Sequence, residues 1–331
     1  NLEADQIRAN VLYAGLCLSD SKTVRGQWGK VKYYPLAPGH EVIAEVSEVG
    51  ENVKDYKKGD KVAFGTMRKF CEHCRYCTAD RETLCIGEPS DKTNEKFTYG
   101  YQWGGYSTQI QQPSQCFFKV SDKLKLDKAS PLLCAGITVY TPIKRYARPG
   151  MKCAVIGIGG LGHLAVQFLH KLGYEVDAIT TSLEKEQFIR DLGAKNIVNL
   201  KDPESVKKAQ RQYDFIVNTS PSAKDFDNLL AFCAKGGFFC QVGAPEVSDL
   251  ITISAFSLIM PEITLVGSLV GTKTDIKEML DLCADKDIYP ICETFPFEEF
   301  PKAMERLEKG KPIFRCVVAV EEYSKKNGLF K

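Results

Sequence analysis

The chain has 331 residues, 44% of them hydrophobic and 26% charged, enough for about two domains with cores of their own. Its 44 basic and 42 acidic residues leave a net charge of +2, which removes the electrostatic argument for nucleic acid or an anionic membrane and favours a small-molecule partner. No run approaches the roughly 18 to 20 apolar residues that cross a bilayer, so no membrane partner is expected.

The opening NLEADQIRANVLYAGLC has neither methionine nor a charged-then-apolar signal segment, and it enters almost directly into a strand. A processed or truncated start is therefore expected, with any targeting peptide out of view. Residues 1–142 are rich in short β-like runs such as 41–49 and 61–64, broken by glycine and proline, and predict an irregular β-rich domain. Within it stand scattered metal candidates: Cys17 in GLCLSD, His40 and Glu41 in PGHE, and Cys134 in LLCAGITVY. A catalytic zinc takes three protein ligands and keeps an exchangeable position, which two thiolates and an imidazole can provide. Taken singly, each residue also fits a buried apolar cysteine or a hydrogen-bonded histidine.

Cys71, Cys74, Cys77 and Cys85 are different, because their C-x2-C-x2-C-x7-C spacing lets one hydrophilic loop wrap a tetrahedral zinc in four thiolates. His73 lies between two of them but is superfluous to a complete set. With four of thirteen cysteines at metal spacing in so long a chain, reduced thiols are expected rather than disulfides, in a reducing compartment, the cytoplasm first, with an organelle left open.

From Lys152 the texture becomes a regular alternation: CAVIG, a helix from Gly160, YEVDAIT, a helical EKEQFIRDLGA, NIVNL, DFIVNTS, a helix near 225–234, GFFCQVG, ITLVGS and a helical TDIKEMLDLCA. Continuous apolar strands between amphipathic helices predict a parallel, doubly wound α/β domain over 143–289. Gly157, Gly159 and Gly162, with Gly160 and Leu161 among them, form G-x-G-x-x-G between the first strand and its helix. Glycine there permits a tight turn and close approach of a pyrophosphate to the helix N-terminus, although a plain strand-to-helix turn uses glycine too. At the end of the second strand, where an NAD site places an acid, stand Thr180, Thr181 and Ser182, with Lys185 beyond. Hydroxyls and a cation suit a ribose phosphate, so NADP(H) is favoured over NAD(H), unless Lys185 is only a solvated helix residue. Residues 290–331 predict a helix and a strand, too little for a domain, which should return to the first.

In this order the motifs from Cys17 through GHE, the four-cysteine lobe, LLCAGITVY, GIGGLGH, TTS-x-x-K, VGSLVG and IFRCVV resemble the zinc-containing medium-chain dehydrogenases, most closely the cinnamyl alcohol dehydrogenase group. The resemblance covers nearly the whole chain and lacks only a few dozen N-terminal residues. It implies a GroES-like catalytic domain (1–142 with 290–331), a Rossmann cofactor domain (143–289) and a homodimer. It makes Cys17, His40 and Cys134 ligands of a catalytic zinc, Glu41 an alternative ligand, Asp20 the carboxylate orienting His40, and Ser19 the hydroxyl that receives the substrate proton. Thr138, Thr219, Gly243, Ser268, Leu269 and Val270 would line the cofactor, and Arg315 would reach its pyrophosphate, although an arginine there also fits an exposed salt bridge. The family commonly has histidine after the first zinc cysteine, where this chain has Leu18. Proton release would then be slower or run through water.

The expected function is hydride transfer between NADP(H) and a primary aliphatic or aromatic alcohol/aldehyde pair, with two zinc ions per chain. The alternative is a dehydrogenase-derived structural or regulatory subunit with little turnover. Retention of Cys17, Ser19, Asp20, His40, Glu41 and Cys134 together argues for the enzyme. A zinc-responsive redox module ranks last, because the lobe has its full thiolate set.

Overall fold

The segment QIRANVLYAGL shields Ile7, Ala9, Val11, Ala14 and Leu16 completely, as only a strand with neighbours on either side does, and it forms β1 (Gln6–Leu16). The computed structural model describes residues 1–28, 35–87, 104–222 and 224–330. After β1 come α1 (Leu18–Val24), β2 (Val42–Val49), β3 (Lys61–Phe64), β4 (Gln109–Pro113), β5 (Phe117–Lys119), α2 (Leu126–Ala129) and α3 (Ala135–Tyr146). The strictly alternating half follows: β6 (Lys152–Ile156), α4 (Gly162–Lys171), β7 (Glu175–Thr180), α5 (Glu186–Asp191), β8 (Ile197–Asn199), α6 (Pro203–Ala209) and β9 (Tyr213–Asn218). It ends with α7 (Phe226–Leu230), β10 (Cys233–Gln241), α8 (Ala255–Ile259) and β11 (Thr264–Gly267). The chain closes with α9 (Lys273–Lys286), β12 (Cys292–Pro296), α10 (Phe300–Glu308), β13 (Arg315–Ala319) and α11 (Glu321–Lys326).

Two compact units result, one of residues 1–137 with 271–331 and one of residues 138–270. The first is built on a seven-stranded sheet in the order β12-β13-β1-β2-β3-β5, with β4 also pairing β1. β1 is its spine: residues 6–10 pair with β4, residues 13–16 pair antiparallel with β13, and β2 lies along most of its length. Ile7, Val11, Val42, Val46, Phe64, Phe117 and Val318 join one buried cluster, on which the lobe cysteines and the ring of Phe300 pack.

The second unit is a six-stranded sheet in the order β11-β10-β9-β6-β7-β8, parallel throughout. Its order reverses between β6 and β9, and the carboxyl ends beside such a switch point are where a doubly wound sheet takes a ligand. Phe215, Ile216, Val217 and Phe239 are wholly buried, and Phe226 packs edge-on against Phe239 at 5.3 Å.

The sequence pattern misplaces one boundary and misses one strand. The second unit ends at residue 270 rather than 289, and α9 belongs with the first. Within that unit the backbone N–H of Lys273 donates to Glu82, the side chain of Met279 lies against Gly136, and Tyr289 Oη accepts the N–H of Lys125 at 3.0 Å. Apolar periodicity shows that one face of a helix is buried and is silent about which core receives it. β12 is absent from the sequence expectation because CETFP exposes alternate residues and includes proline, yet it pairs parallel with β13. No helix among the described residues is long and apolar enough to cross a membrane.

Candidate active site

Cys17 follows directly on β1 as the N-cap of α1, in extended conformation (φ −125°), so strand, ligand and helix come in unbroken succession. His40 and Glu41 precede β2 and follow Gly39, whose φ of +111° and close approach to Tyr106 N, 2.7 Å from where a Cβ would stand, admit no other residue without strain. Cys134 stands at the end of the short turn 130–133, just before α3. One ligand atom from each of Cys17, His40, Glu41 and Cys134 lies within 4.8 Å of all the others.

Asp20, on the first turn of α1 and 1% exposed, places Oδ1 3.0 Å from His40 Nδ1 and accepts the Gly39 N–H at 3.0 Å with the same oxygen. That fixes the ring and leaves Nε2 as the atom the imidazole can offer a metal. Burial works against a charged imidazole, but the Asp20 carboxylate and the Cys17 sulfur raise His40 well above its ordinary value. The hydrogen bond with Cys134 is the main reason Cys17 lies well below the usual thiol range, and the same bond, with burial, raises Cys134. Burial pushes Glu41 up to about 7 against the pull of the Arg315 guanidinium. Arg315, 3% exposed, pairs with Glu41 Oε1, while Glu41 Oε2 is buried with no hydrogen-bond partner. Two thiols, one imidazole and one spare carboxylate oxygen, three of the four residues buried and Cys134 half-buried, make a donor set suited to zinc.

The loop 71–85 gathers its cysteines through tight local turns. Sulfur separations are 3.6 Å for Cys74 to Cys77, 3.6 Å for Cys71 to Cys85 and 4.0 Å for Cys71 to Cys77. A tetrahedron with Zn–S bonds of about 2.3 Å has edges of about 3.8 Å, so the cage has the size of a tetrathiolate zinc site. Backbone N–H groups of Cys71, Cys74 and Gly87 point at sulfurs of the set, at 3.2 to 3.4 Å. Such bonds from Cys77 and Ile86 lower Cys74 to about 6, whereas burial pushes Cys77 up to about 12. The lobe is tied to α9: Asp80 accepts from Thr274 Oγ1 at 3.0 Å, and Lys273 Nζ sits 4.7 Å from the Phe70 ring centroid.

In the second unit, β6 runs into Gly157 (φ +83°), and α4 begins at Gly162. A Cβ on Gly162 would stand 2.0 Å from Gly157 O, while one on Gly159 would meet nothing within 4 Å. The first glycine pair closes the turn, and the middle one leaves room for a ligand to approach the backbone. Thr219 Oγ1 lies within hydrogen-bonding reach of Ile156 O and Gly157 O, and a Cβ on Gly243 would strike Ser220 O at 2.1 Å. The C-terminal end of β7 carries Thr180, and the hydroxyls of Thr180 and Ser182 accept the N–H groups of Ser182 and Glu184 at 3.3 Å. They thereby shape the turn into α5, which Lys185 begins as N-cap. Of the two acids of β7, Glu175 at its N-terminal end pairs with Lys195 at 2.6 Å, and Asp177 is 2% exposed and occupied by Tyr213 Oη and Asn196, so both are already paired within the chain. Beyond β11, Ser268 Oγ is buried with no hydrogen-bond partner, Leu269 is exposed, and Val270 adopts φ +38°, a strained value for a β-branched residue.

Residues 3–122 match the alcohol dehydrogenase GroES-like domain and residues 160–285 the zinc-binding dehydrogenase domain. The chain is 35% identical to a probable formaldehyde dehydrogenase, AdhA, of Bacillus subtilis over 96% of its own length and 91% of that protein. The chain belongs to the zinc-binding alcohol dehydrogenase family. It is similar in structure to a cinnamyl alcohol dehydrogenase of Sorghum bicolor (TM-score 0.89, 32% identity, 97% of this chain and 92% of that one). It is also similar to a cinnamyl alcohol dehydrogenase of Helicobacter pylori complexed with NADP(H) (TM-score 0.88, 31% identity, again 97% and 92%).

In this alcohol dehydrogenase the expected metal residues therefore come together as two separate sets of four, and His73 stands in neither. Ser19 lies half-buried on α1 beside Cys17, and Leu18 is 44% exposed. Arg315, expected at a pyrophosphate, pairs through one guanidinium nitrogen with Glu41 in the first unit, a buried cation beside a buried carboxylate. Sequence reasoning missed Tyr106, whose hydroxyl touches this site. The signal was the GGY run 104–106, whose two glycines allow backbone to lie on backbone: Gly104 N–H donates to Ala37 O, Gly105 N–H to Gly39 O and Tyr106 N–H to Pro38 O, at 2.6 to 2.9 Å.

Proposed function

We propose that this dehydrogenase is an NADP(H)-dependent, zinc-dependent aldehyde reductase, reversibly transferring hydride between the cofactor and a primary aliphatic or aromatic alcohol/aldehyde pair. The observation that carries this reading is the convergence of Cys17, His40, Glu41 and Cys134 with Asp20 on the far nitrogen of the histidine. A zinc ion held by Cys17, His40 and Cys134 supplies Lewis-acid polarisation of the substrate oxygen. Glu41 offers its spare Oε2 as an alternative ligand, Asp20 keeps the imidazole oriented, and Ser19 takes the proton of the substrate alcohol. Cys71, Cys74, Cys77 and Cys85 hold a second zinc whose contribution is to folding.

On the second unit, the turn from Gly157 to Gly162, with Gly160 and Leu161, receives the pyrophosphate at the N-terminus of α4. Thr180, Thr181, Ser182 and Lys185 receive the ribose phosphate. Thr138, Thr219, Gly243, Ser268, Leu269 and Val270 line the rest, the buried hydroxyl of Ser268 offering a hydrogen bond to the cofactor. The exposed Val247, Leu250, Phe256, Ile259 and Met260, near the edge strand β11, suit a second copy of this chain and hence a homodimer. Thirteen free thiols suit a reducing compartment such as the cytoplasm.

The test is reduction of a panel of aliphatic and aromatic aldehydes by the metal-replete full chain with NADPH or NADH, beside Cys17→Ser. NADPH-dependent turnover that Cys17→Ser abolishes is the expected result. A chain that binds NADPH and reduces no member of the panel is a structural subunit instead.

A further inference from the structure

The hydroxyl of Tyr106 lies 2.8 Å from Asp20 Oδ2, and Asp20 Oδ1 is the atom 3.0 Å from His40 Nδ1. The same hydroxyl accepts the backbone N–H of Cys17 at 3.4 Å. Gly15 O is 3.3 Å away, but the single phenolic proton goes to the nearer, charged oxygen. One phenol oxygen thus touches the backbone of one zinc-ligand candidate and, through one carboxylate, the ring of another.

The ring is held as firmly as the hydroxyl. Tyr106 N–H is bonded to Pro38 O at 2.9 Å, and the ring packs on Phe300 with centroids 4.8 Å apart. A Cβ on Gly105 would stand 2.1 Å from the Val42 side chain, so the segment lies directly against the strand that follows Glu41, held there by the Gly105 N–H on Gly39 O at 2.8 Å. Asp20 without this bond would have one oxygen satisfied by His40 and Gly39 and the other left in a buried site with no donor. The carboxylate would then be free to turn about its own bond, and the imbalance would reach His40.

We infer that Tyr106 is a positioning residue of the catalytic metal site: its hydroxyl locks the Asp20 carboxylate, and the Cys17 amide, in the orientation that presents His40 Nε2 and the Cys17 sulfur to zinc. The inference rests on the zinc reading of Cys17, His40 and Cys134 given above and extends it by one shell of hydrogen bonds.

The experiment compares the full chain, loaded with Co2+ in place of zinc, as parent, Tyr106→Phe, Asp20→Asn and the double variant. Phenylalanine keeps the ring on Phe300 and removes one oxygen, so the fold survives. Tyr106→Phe should weaken metal binding at the Cys17 site about tenfold, the lower end of what losing an outer hydrogen-bond partner does to a metal site. It should shift the cobalt absorption bands, lower kcat with KM for NADPH unchanged, and leave the four-cysteine lobe loaded. Added to Asp20→Asn it should cost little more, because both act through one carboxylate. Parental affinity and parental cobalt bands in Tyr106→Phe overturn the inference, as does full additivity with Asp20→Asn. If instead Cys17→Ser leaves the metal content of the parent unchanged, the zinc reading itself fails and takes the inference with it.

Discussion

The two cysteine-bearing clusters are built in opposite ways. The lobe at 71–85 draws all four sulfurs from one short loop and holds them with its own backbone N–H groups. The other set draws Cys17 from the end of β1, His40 and Glu41 from the approach to β2, and Cys134 from the turn before α3. On the proposed reading, a metal in the lobe would act mainly as a fold-holding cross-link, since only local turns and backbone N–H groups otherwise gather the four thiols. In the second, hydrogen bonds and a buried ion pair gather the side chains beforehand, and a metal there would serve chemistry. Stability should therefore follow the first cluster and turnover the second.

The strongest way to break that contrast is to empty the lobe. Cys74→Ser should lower the metal content from two ions to one and lower Tm by about 10 °C or more, since structural zinc acts as folding energy and each kcal/mol shifts Tm by roughly 2–4 °C in a chain this large. Elemental analysis and calorimetry measure it. A parent with one metal ion, unchanged in the variant, removes the lobe site.

Next in size, Cys134→Ser should reduce kcat/KM at least ~10³-fold, equivalent to about 4 kcal/mol of lost transition-state stabilisation, with NADPH binding by fluorescence titration preserved. Activity that survives would mean the ligand set is wrong. Arg315→Met probes the ion pair that prepares this cluster. It leaves the Glu41 carboxylate buried without its cation, which should cost about 3–5 kcal/mol in denaturant unfolding, while Glu41→Gln with Arg315→Met should regain most of that. Equal losses in the single and double variants would place the cost in packing rather than charge.

How much of this was open to the sequence follows the same division. The lobe was legible because its spacing is itself the geometry. The catalytic set was not, since nothing in the interval from Cys17 to Cys134 says that the ends meet; family likeness supplied that. The glycine turn was legible from its place between an apolar strand and a helix. Arg315 was not, because an arginine in IFRCVV has no visible partner until β13 lies beside β1 and delivers it to Glu41. Tyr106 was hidden for a related reason: its partner is a carboxylate whose own role depends on a histidine elsewhere in the chain.

The smallest expected effect lies in the second unit. Lys185→Glu puts like charge beside the ribose phosphate at a half-exposed position and should weaken NADPH by about 1 kcal/mol, roughly fivefold in KM, with NADH unaffected. Equal weakening of both cofactors would point to damage to the turn instead of lost phosphate recognition.

The pairing of β1 with β13 also sets a schedule for biosynthesis. The segment 138–270 is contiguous and can complete its parallel sheet as soon as it has left the ribosome, whereas β1 lacks its partner at 315–319 until nearly all of this sequence has been made. At roughly 5–20 residues per second, that wait is on the order of 15 to 60 seconds. During it, residues 13–16 of β1 form a strand segment with one edge open, the kind of surface that nascent-chain chaperones cover. The segment 138–270 would thus reach its native state before β1, which is made earlier, completes its pairing, reversing the usual order of emergence and folding.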